Sequence, residues 1–241
     1  MKIILLGTAH PYRGGLASYN ERLARQLISE GHDVQIFTFT LQYPKIFFPG
    51  KTQFTDNPAP DGIKITRLLN SVNPFSWFKT GRRIRKENTD ILLIKYWHPF
   101  MAPCFGTVAR IAHKNKSGKT KVICIFDNVI PHEKKPFDKL LTRYFTQSIN
   151  GAIVMSRSVG DDLKQFRTDI PVLYNPHPLY DNYGEMIPGE VAAKKLGLPA
   201  GYSFILFFEL ILFATLTGAL SGAIPAYQAS KVNPVKALRY E

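Results

Sequence analysis

Short apolar segments alternate with amphipathic segments along the first three quarters of the chain. The amphipathic segments carry apolar residues at helical spacing, as at Leu16, Tyr19 and Leu23. Seven of the apolar segments are strand candidates: IILL (3–6), DVQIFTF (33–39), GIKITRLL (62–69), DILLIKYW (90–97), KVICIFDN (121–128), GAIVMS (151–156) and PVLYN (171–175). Strands that alternate with helices predict a doubly wound, mostly parallel Rossmann-like α/β domain of about seven strands.

A different kind of sequence begins near Ser203. The 22 residues from Ser203 to Ile224 carry one charge, at Glu209. A helix of that length covers about 30 Å, enough to cross a bilayer core, and its small residues allow close helix packing. The alternative is that the start of this run is a buried strand of a soluble domain. The pattern favours the strand for 203–208 alone and a transmembrane helix for 209–224.

The composition changes once, near Tyr202, and no internal repeat is present. The two cysteines, Cys104 and Cys124, lack metal-ligand spacing, so we expect reduced core thiols and no metal site. The chain is therefore divided into three parts: an α/β domain (1–178), a connection (179–202), and a hydrophobic helix with a basic tail (203–241).

The net charge is +13, from 31 Lys and Arg against 18 Asp and Glu, and nearly all of it lies before Ser203. Such a balance attracts polyanions: nucleic acid, anionic lipid headgroups or phosphorylated substrates. Only a short apolar run follows Lys2, which predicts no signal peptide and a cytoplasmic α/β domain. Lys231, Lys236 and Arg239 predict a cytoplasmic C-terminus. The two expectations conflict, because a single membrane span with a cytoplasmic C-terminus would place residues 1–202 outside the cytoplasm.

The tail carries a specific motif at ten positions: Pro225, Ala226, Ala229, Ser230, Asn233, Pro234, Val235, Ala237, Leu238 and Arg239. In this motif the tail resembles the C-terminal end of ABC transporter permeases of the macrolide-exporter and lipoprotein-releasing type. The resemblance implies inner-membrane association through residues 203–224. It implies no transport by this piece alone, because the other membrane helices of such permeases are missing.

The α/β part carries motifs of its own: the Gly14-Gly15 loop, EGHDV (30–34), VMSRSVGDDL (154–163) and LYNPHP (173–178). Over residues 1–208 the chain resembles the N-terminal domain of family-4 glycosyltransferases with the GT-B fold. The resemblance implies transfer of a hexose from a nucleotide sugar to a glycan or lipid-linked acceptor, usually with retention. It implies no metal and no cofactor besides the nucleotide-sugar substrate.

The loop HPYRGGLASY (10–19) is a candidate for binding the donor diphosphate. Gly14 and Gly15 allow the backbone to approach a ligand, and the helix that follows directs free N–H groups at it. Arg13 adds a cation. The alternatives are an ordinary glycine turn and a solvated arginine.

The segment FDNVIPHEKK (126–135) follows a strand, where open α/β sheets bind ligands. Many relatives carry a histidine at this strand end, whereas this chain has Asp127 and Asn128. Asp127 or His132 is the candidate acceptor of the hydroxyl proton, with Glu133 a weaker candidate and Asn128 a substrate contact. The alternatives are an Asx turn at 127–128 and an exposed loop histidine.

Two further groups of residues are candidates for binding. Trp97 and His98 are candidates for the acceptor cleft, although the pattern favours a packed aromatic residue at the sheet edge as the explanation of Trp97. The basic segments KTGRRIRK (79–86) and HKNKSGKTK (113–121) suggest a surface for anionic lipid, against the alternative of solvated faces. Nucleic acid is the weaker partner, because no base-reading module is recognised.

In the GT-B fold the donor is held mainly by a second domain, which the resemblance leads us to expect from YSFILFF (202–208) onward. The sequence passes instead at Glu209 into the apolar tail. We therefore expect an acceptor-side half that lacks the donor domain and is inactive alone, since one half cannot stabilise a transition state held from two sides. The alternative is a membrane-anchored binding module or a permease fragment.

Overall fold

The computed structural model describes residues 1–47, 52–113, 120–131, 133, 135–177, 187–197 and 204–230. The chain forms two compact units, Met1–Pro178 and Leu179–Glu241.

The first unit is built on a seven-stranded sheet whose paired strands are all parallel. Its strands are β1 (Lys2–Leu6), β2 (Asp33–Leu41), β3 (Lys64–Asn70), β4 (Ile91–Tyr96), β5 (Lys121–Phe126), β6 (Gly151–Val154) and β7 (Val172–Tyr174). They lie in the order β3-β2-β1-β4-β5-β6-β7, so the winding direction reverses between β1 and β4. The predicted doubly wound Rossmann-like fold is confirmed.

Five helices cover the two faces of this sheet: α1 (Gly15–Ser29), α2 (Pro74–Lys86), α3 (Ala102–His113), α4 (Asp138–Thr146) and α5 (Arg157–Lys164). Short 3-10 turns lie at Lys45–Phe47 and Pro99–Met101. Because successive strand residues point to opposite faces, Ile4 joins one core cluster and Leu5 the other. The Leu5 cluster packs under α1, and the Ile4 cluster contains residues of α2 to α5.

Several local features have the structure that their residue types favour. Gly31 adopts a left-handed conformation (φ 82°) just after α1. The hydroxyl of Ser156 accepts the backbone N–H of Val159 at 3.2 Å and caps α5. Cys104 and Cys124 are both buried free thiols.

The second unit contains α6 (Gly189–Leu196) and α7 (Phe204–Ser230). The strand interpretation of 203–208 is wrong, because α7 begins at Phe204. A lone apolar strand would need a partner strand for its backbone groups, whereas a helix satisfies them within itself. The helix also continues past residue 224, the end of the predicted hydrophobic segment, and includes Pro225.

The segment Phe204–Tyr227 of α7 has 24 residues, and its most apolar stretch of 18 residues has a mean hydropathy of 2.0. By length and composition it is a candidate membrane span. The C-terminal segment 231–241 carries most of the permease motif, and it lies outside the described residues.

We predict that Gly81→Ala destabilises the first unit. A Cβ at Gly81 would lie 2.7 Å from Ile111 Cβ and 3.2 Å from the Val108 carbonyl oxygen, neither of which is a mobile side-chain end. We expect a loss of about 1–2 kcal/mol in the free energy of unfolding, measured by urea denaturation in detergent. Gly160→Ala in α5 is the control, since its Cβ would meet Val154 at an ordinary 3.4 Å. Equal effects of the two substitutions would contradict this account of α2 packing.

Candidate functional site

The carboxyl ends of four neighbouring strands meet beside the point where the winding reverses. These strands are β1, β4, β5 and β6. In open α/β sheets this crevice is the usual ligand site. Lys95 near the end of β4, Asp127 just after β5 and Met155 just after β6 all point to the face that α1 covers. Each stands two residues beyond an apolar side chain on that face: Leu93, Ile125 and Ile153.

Lys95 and Asp127 form a largely buried ion pair at this edge. The distance from Lys95 Nζ to Asp127 Oδ1 is 2.6 Å, and the side chains are 2% and 21% exposed. Lys95 Nζ also lies 3.6 Å from the ring centroid of Tyr19 on α1 and 3.8 Å from Met155 Sδ. The lysine is thus enclosed by groups from three elements, while the carboxylate reaches solvent.

Burial has the largest effect on the pKa of the Lys95 ammonium group and lowers it. The negative charge of Asp127 opposes that shift. Among the described residues, the carboxylate of Asp127 bonds to Lys95 rather than to a backbone N–H of its own loop. The Asx-turn alternative is therefore wrong for Asp127. The pair fixes the Oδ1 atom of a carboxylate that remains 21% exposed at the sheet edge.

The first turn after β1 fits closely against α1. A Cβ at Gly7 would lie 2.7 Å from Asn20 Nδ2, so no larger residue fits there without a shift. Asn20 Nδ2 donates to the Thr8 carbonyl at 2.9 Å. Asn20 Oδ1 and Thr8 Oγ1 are buried and have no hydrogen-bond partner within the described part of the chain. These contacts hold α1, and with it Tyr19, over the ends of β1 and β4.

The predicted diphosphate loop lies between β1 and α1. Gly14 has φ 107° and precedes α1 with no side-chain cap, and Gly15 is the first residue of the helix. A Cβ at Gly14 would meet nothing within 4 Å, so the loop is open there. Arg13 is exposed, and its backbone N–H donates to the Gln53 carbonyl at 3.0 Å. The N-cap position of α1 therefore provides no side chain to cap the first-turn N–H groups.

Trp97 and His98 both have structural partners. Trp97 Nε1 donates to the Tyr43 hydroxyl at 2.7 Å, and the Tyr43 ring stacks on Phe100 with centroids 5.8 Å apart. His98 Nδ1 accepts the Phe100 backbone N–H at 3.1 Å. Burial lowers the pKa of His98, which keeps this nitrogen free to accept. The two residues thus form part of a half-buried aromatic cluster after β4.

For the remaining predicted site residues the structure gives only their exposure or nothing. Asn128 is half-buried next to Asp127, and Glu133 is exposed. His132 lies outside the described residues. Within the described ranges, no group of three or more His, Cys, Asp or Glu side chains could hold a metal ion.

Sequence reasoning missed Lys95, Tyr19 and Asn20. A signal existed for Lys95, which is the only charged residue in the strand ILLIKY. Its strand position also has the same parity as Leu93, which points into the core under α1. Neither signal reveals that its partner is Asp127, because that contact depends on the packing of α1 against the sheet.

The sequence profile described as Glycosyltransferase Family 4 matches residues 13–179. The chain belongs to this family. No curated protein sequence matches the chain.

Several solved structures are also similar. A sucrose-phosphate synthase from Thermosynechococcus elongatus is 12% identical, with a TM-score of 0.41 over 81% of this chain and 96% of that chain. The catalytic domain of starch synthase IV from Arabidopsis thaliana is 13% identical, with a TM-score of 0.44, and the match covers 84% of this chain and 60% of that chain. A UDP-GlcNAc 2-epimerase from Methanocaldococcus jannaschii is 14% identical, with a TM-score of 0.40, and the match covers 68% of this chain and 42% of that chain. This family-4 chain thus spans less than two thirds of the latter two chains.

We predict that Lys95→Met destabilises the α/β unit by about 2–3 kcal/mol. Removing one partner of a buried pair leaves an uncompensated charge, and the partial exposure of Asp127 keeps the loss below the about 3–5 kcal/mol of a fully buried pair. Adding Asp127→Asn should recover much of the loss, as measured by a double-mutant cycle in urea. Additive effects of the two substitutions would show that the pair does not couple.

A pH dependence follows from the lowered pKa of Lys95. A lysine with a folded-state pKa below its unfolded value binds fewer protons when folded, so its contribution to stability grows as pH rises toward the unfolded pKa of about 10.4. That contribution is lost as pH falls through the folded-state pKa. The stability difference between the wild type and Lys95→Met should therefore shift in favour of the wild type between neutral and alkaline pH. A flat difference in urea titrations over this range would contradict the shift.

Proposed function

We propose that residues 1–178 are the acceptor-side half of a nucleotide-sugar-dependent glycosyltransferase. The observation that carries the proposal is the Asp127 carboxylate, held through Oδ1 by a buried lysine at the carboxyl edge of the sheet. Family membership supports the reaction class. A carboxylate oriented in this way suits an acceptor hydroxyl, which needs a fixed hydrogen-bond acceptor as it attacks.

In this proposal a hexose moves from a nucleotide sugar to a hydroxyl of a glycan or lipid-linked acceptor. The bond from the anomeric carbon to the diphosphate breaks, the bond to the acceptor oxygen forms, and Asp127 accepts the hydroxyl proton. His132 is the second candidate for that proton. Asn128, Trp97 and His98 contact the acceptor.

The charge that develops on the diphosphate requires donors on the protein. Gly14, Gly15 and the uncapped first turn of α1 offer backbone N–H groups to it, and Arg13 offers a cation. Neighbouring structures support a nucleotide-sugar donor in general, since the starch synthase is bound to ADP and acarbose and a Medicago truncatula protein to UDP-glucose.

We further propose that most of the donor is held by residues other than 1–241. The chain covers 60% of the starch synthase catalytic domain and 54% of the Medicago protein. Turnover by this chain alone should therefore be negligible. The α/β unit is proposed to be cytoplasmic and to associate with the inner membrane through residues 203–224, where a lipid-linked acceptor is found.

A second candidate function is a membrane-anchored binding module, or a fragment of an ABC transporter permease. It is favoured by α7, whose segment Phe204–Tyr227 has the length and apolar composition of a span. In that case the crevice binds an anionic ligand without turning it over.

The test is a chimera in which residues 1–178 are followed by the donor domain of an active family-4 enzyme. We expect glycosyl transfer by the chimera, and a loss on the order of 100-fold to 10000-fold on Asp127→Asn, because a positioned proton acceptor is removed. Asp161→Asn is the control, since Asp161 forms an exposed pair with Lys164 on α5. Full activity of the Asp127→Asn chimera, or turnover by the natural chain alone, would contradict the proposal.

A further inference from the structure

One side of α2 presents aromatic rings and cations to solvent. Phe75 is 85% exposed and Phe78 is 47% exposed, and both precede a basic half of the helix. Five side chains fall within about 100° around the helix axis, and we name them the α2 stripe: Phe75, Phe78, Lys79, Arg82 and Lys86.

The opposite side of α2 is firmly packed. Thr80 and Ile84 are buried, and Gly81 lies against Ile111 of α3. Trp77 Nε1 donates to the Asn70 carbonyl at 2.7 Å. The helix cannot rotate to bury its phenylalanines without giving up these contacts, so the α2 stripe is fixed outward. Beside it a groove of about 730 Å³ runs between α2 and β3, with Thr66 and Leu68 in its lining.

The cations of the α2 stripe are available to a partner. Among the described residues, no carboxylate lies within ion-pair distance of Lys79, Arg82 or Lys86. Their neighbour Arg83 differs, because it pairs with Glu87 at 2.8 Å. The α2 stripe therefore carries uncompensated positive charge next to exposed rings.

We propose that the α2 stripe is a docking surface for an anionic lipid bilayer. The rings of Phe75 and Phe78 lie at the boundary between headgroups and acyl chains, and the three cations contact lipid phosphates. A bilayer has an apolar acyl-chain layer beneath its anionic headgroups, and the two exposed phenylalanines and the cations of this helix match these two layers. A polyanion in water, such as RNA or an acidic protein segment, matches only the cations. The candidate span Phe204–Tyr227 in the same chain independently favours a bilayer as the partner.

This inference does not rest on the proposed glycosyl transfer, because no residue of the α2 stripe belongs to the crevice at Lys95 and Asp127. A failed docking experiment leaves the transfer proposal unaffected. An inactive chimera likewise leaves the docking surface unaffected.

The test places a nitroxide label at Val72→Cys in the full chain, next to the α2 stripe but outside it. Val72 is 46% exposed, whereas Cys104 and Cys124 are fully buried, so the introduced thiol is labelled selectively. The chain is reconstituted in nanodiscs of phosphatidylcholine, with or without phosphatidylglycerol. Paramagnetic relaxation by oxygen and by a water-soluble nickel complex then reports whether the label is in lipid or in water. Because α7 is present in every sample, the lipid dependence isolates the contribution of α2.

We expect the Val72 label to move from nickel-accessible to oxygen-accessible only when phosphatidylglycerol is present. Neutralising Lys79, Arg82 and Lys86 to Gln should weaken the docked state on the order of 100-fold and restore nickel access. A label at Leu140→Cys on α4, where the native leucine is 63% exposed, is the control and should stay in water.

A Val72 label that stays in water with phosphatidylglycerol overturns the proposal. So does equal insertion of the wild type and the triple Gln variant. Shielding of the label by an RNA oligonucleotide in detergent, without an effect of anionic lipid, would assign the α2 stripe to a polyanion instead and would also overturn it.

Discussion

The buried ion pair between Lys95 and Asp127 is the interaction on which the sheet edge depends. Removing a charge from water costs several kcal/mol per ion, so a lysine that is 2% exposed persists only with close compensation. The carboxylate at 2.6 Å and the face of Tyr19 at 3.6 Å supply it. Because β4, β5 and α1 each contribute one of these groups, the pair ties three elements together where a ligand would bind.

The fit of α1 against the sheet follows from the same requirement. Tyr19 reaches Lys95 only because α1 lies close over β1, and Gly7 permits that approach by leaving room for Asn20. The loop that makes this turn ends at Gly14, so the fold places an uncapped helix start and an oriented carboxylate on one face of one sheet. In the proposed function, the helix start binds the donor diphosphate and the carboxylate accepts the acceptor's proton.

The sequence predicted the architecture well, because each strand and helix carries its own periodicity. Local caps such as Gly31 and Ser156 were also predictable, since their chemistry involves only neighbouring residues. The Lys95–Asp127 contact was not, because it joins residues 32 apart whose meeting depends on strand order and on helix packing. The error at 203–208 has a related origin: a short apolar run does not distinguish a strand from the first turns of a long helix, and only its continuation decides.

The most direct measurement is a ¹⁵N NMR titration of the Lys95 ammonium group in the full chain, repeated on Asp127→Asn. We expect a titration midpoint below that of an ordinary lysine, and a further decrease when the carboxylate is replaced, because the charge of Asp127 opposes the effect of burial. An ordinary midpoint that does not respond to Asp127→Asn would contradict the buried pair, and with it the account of how the carboxylate is held at the sheet edge.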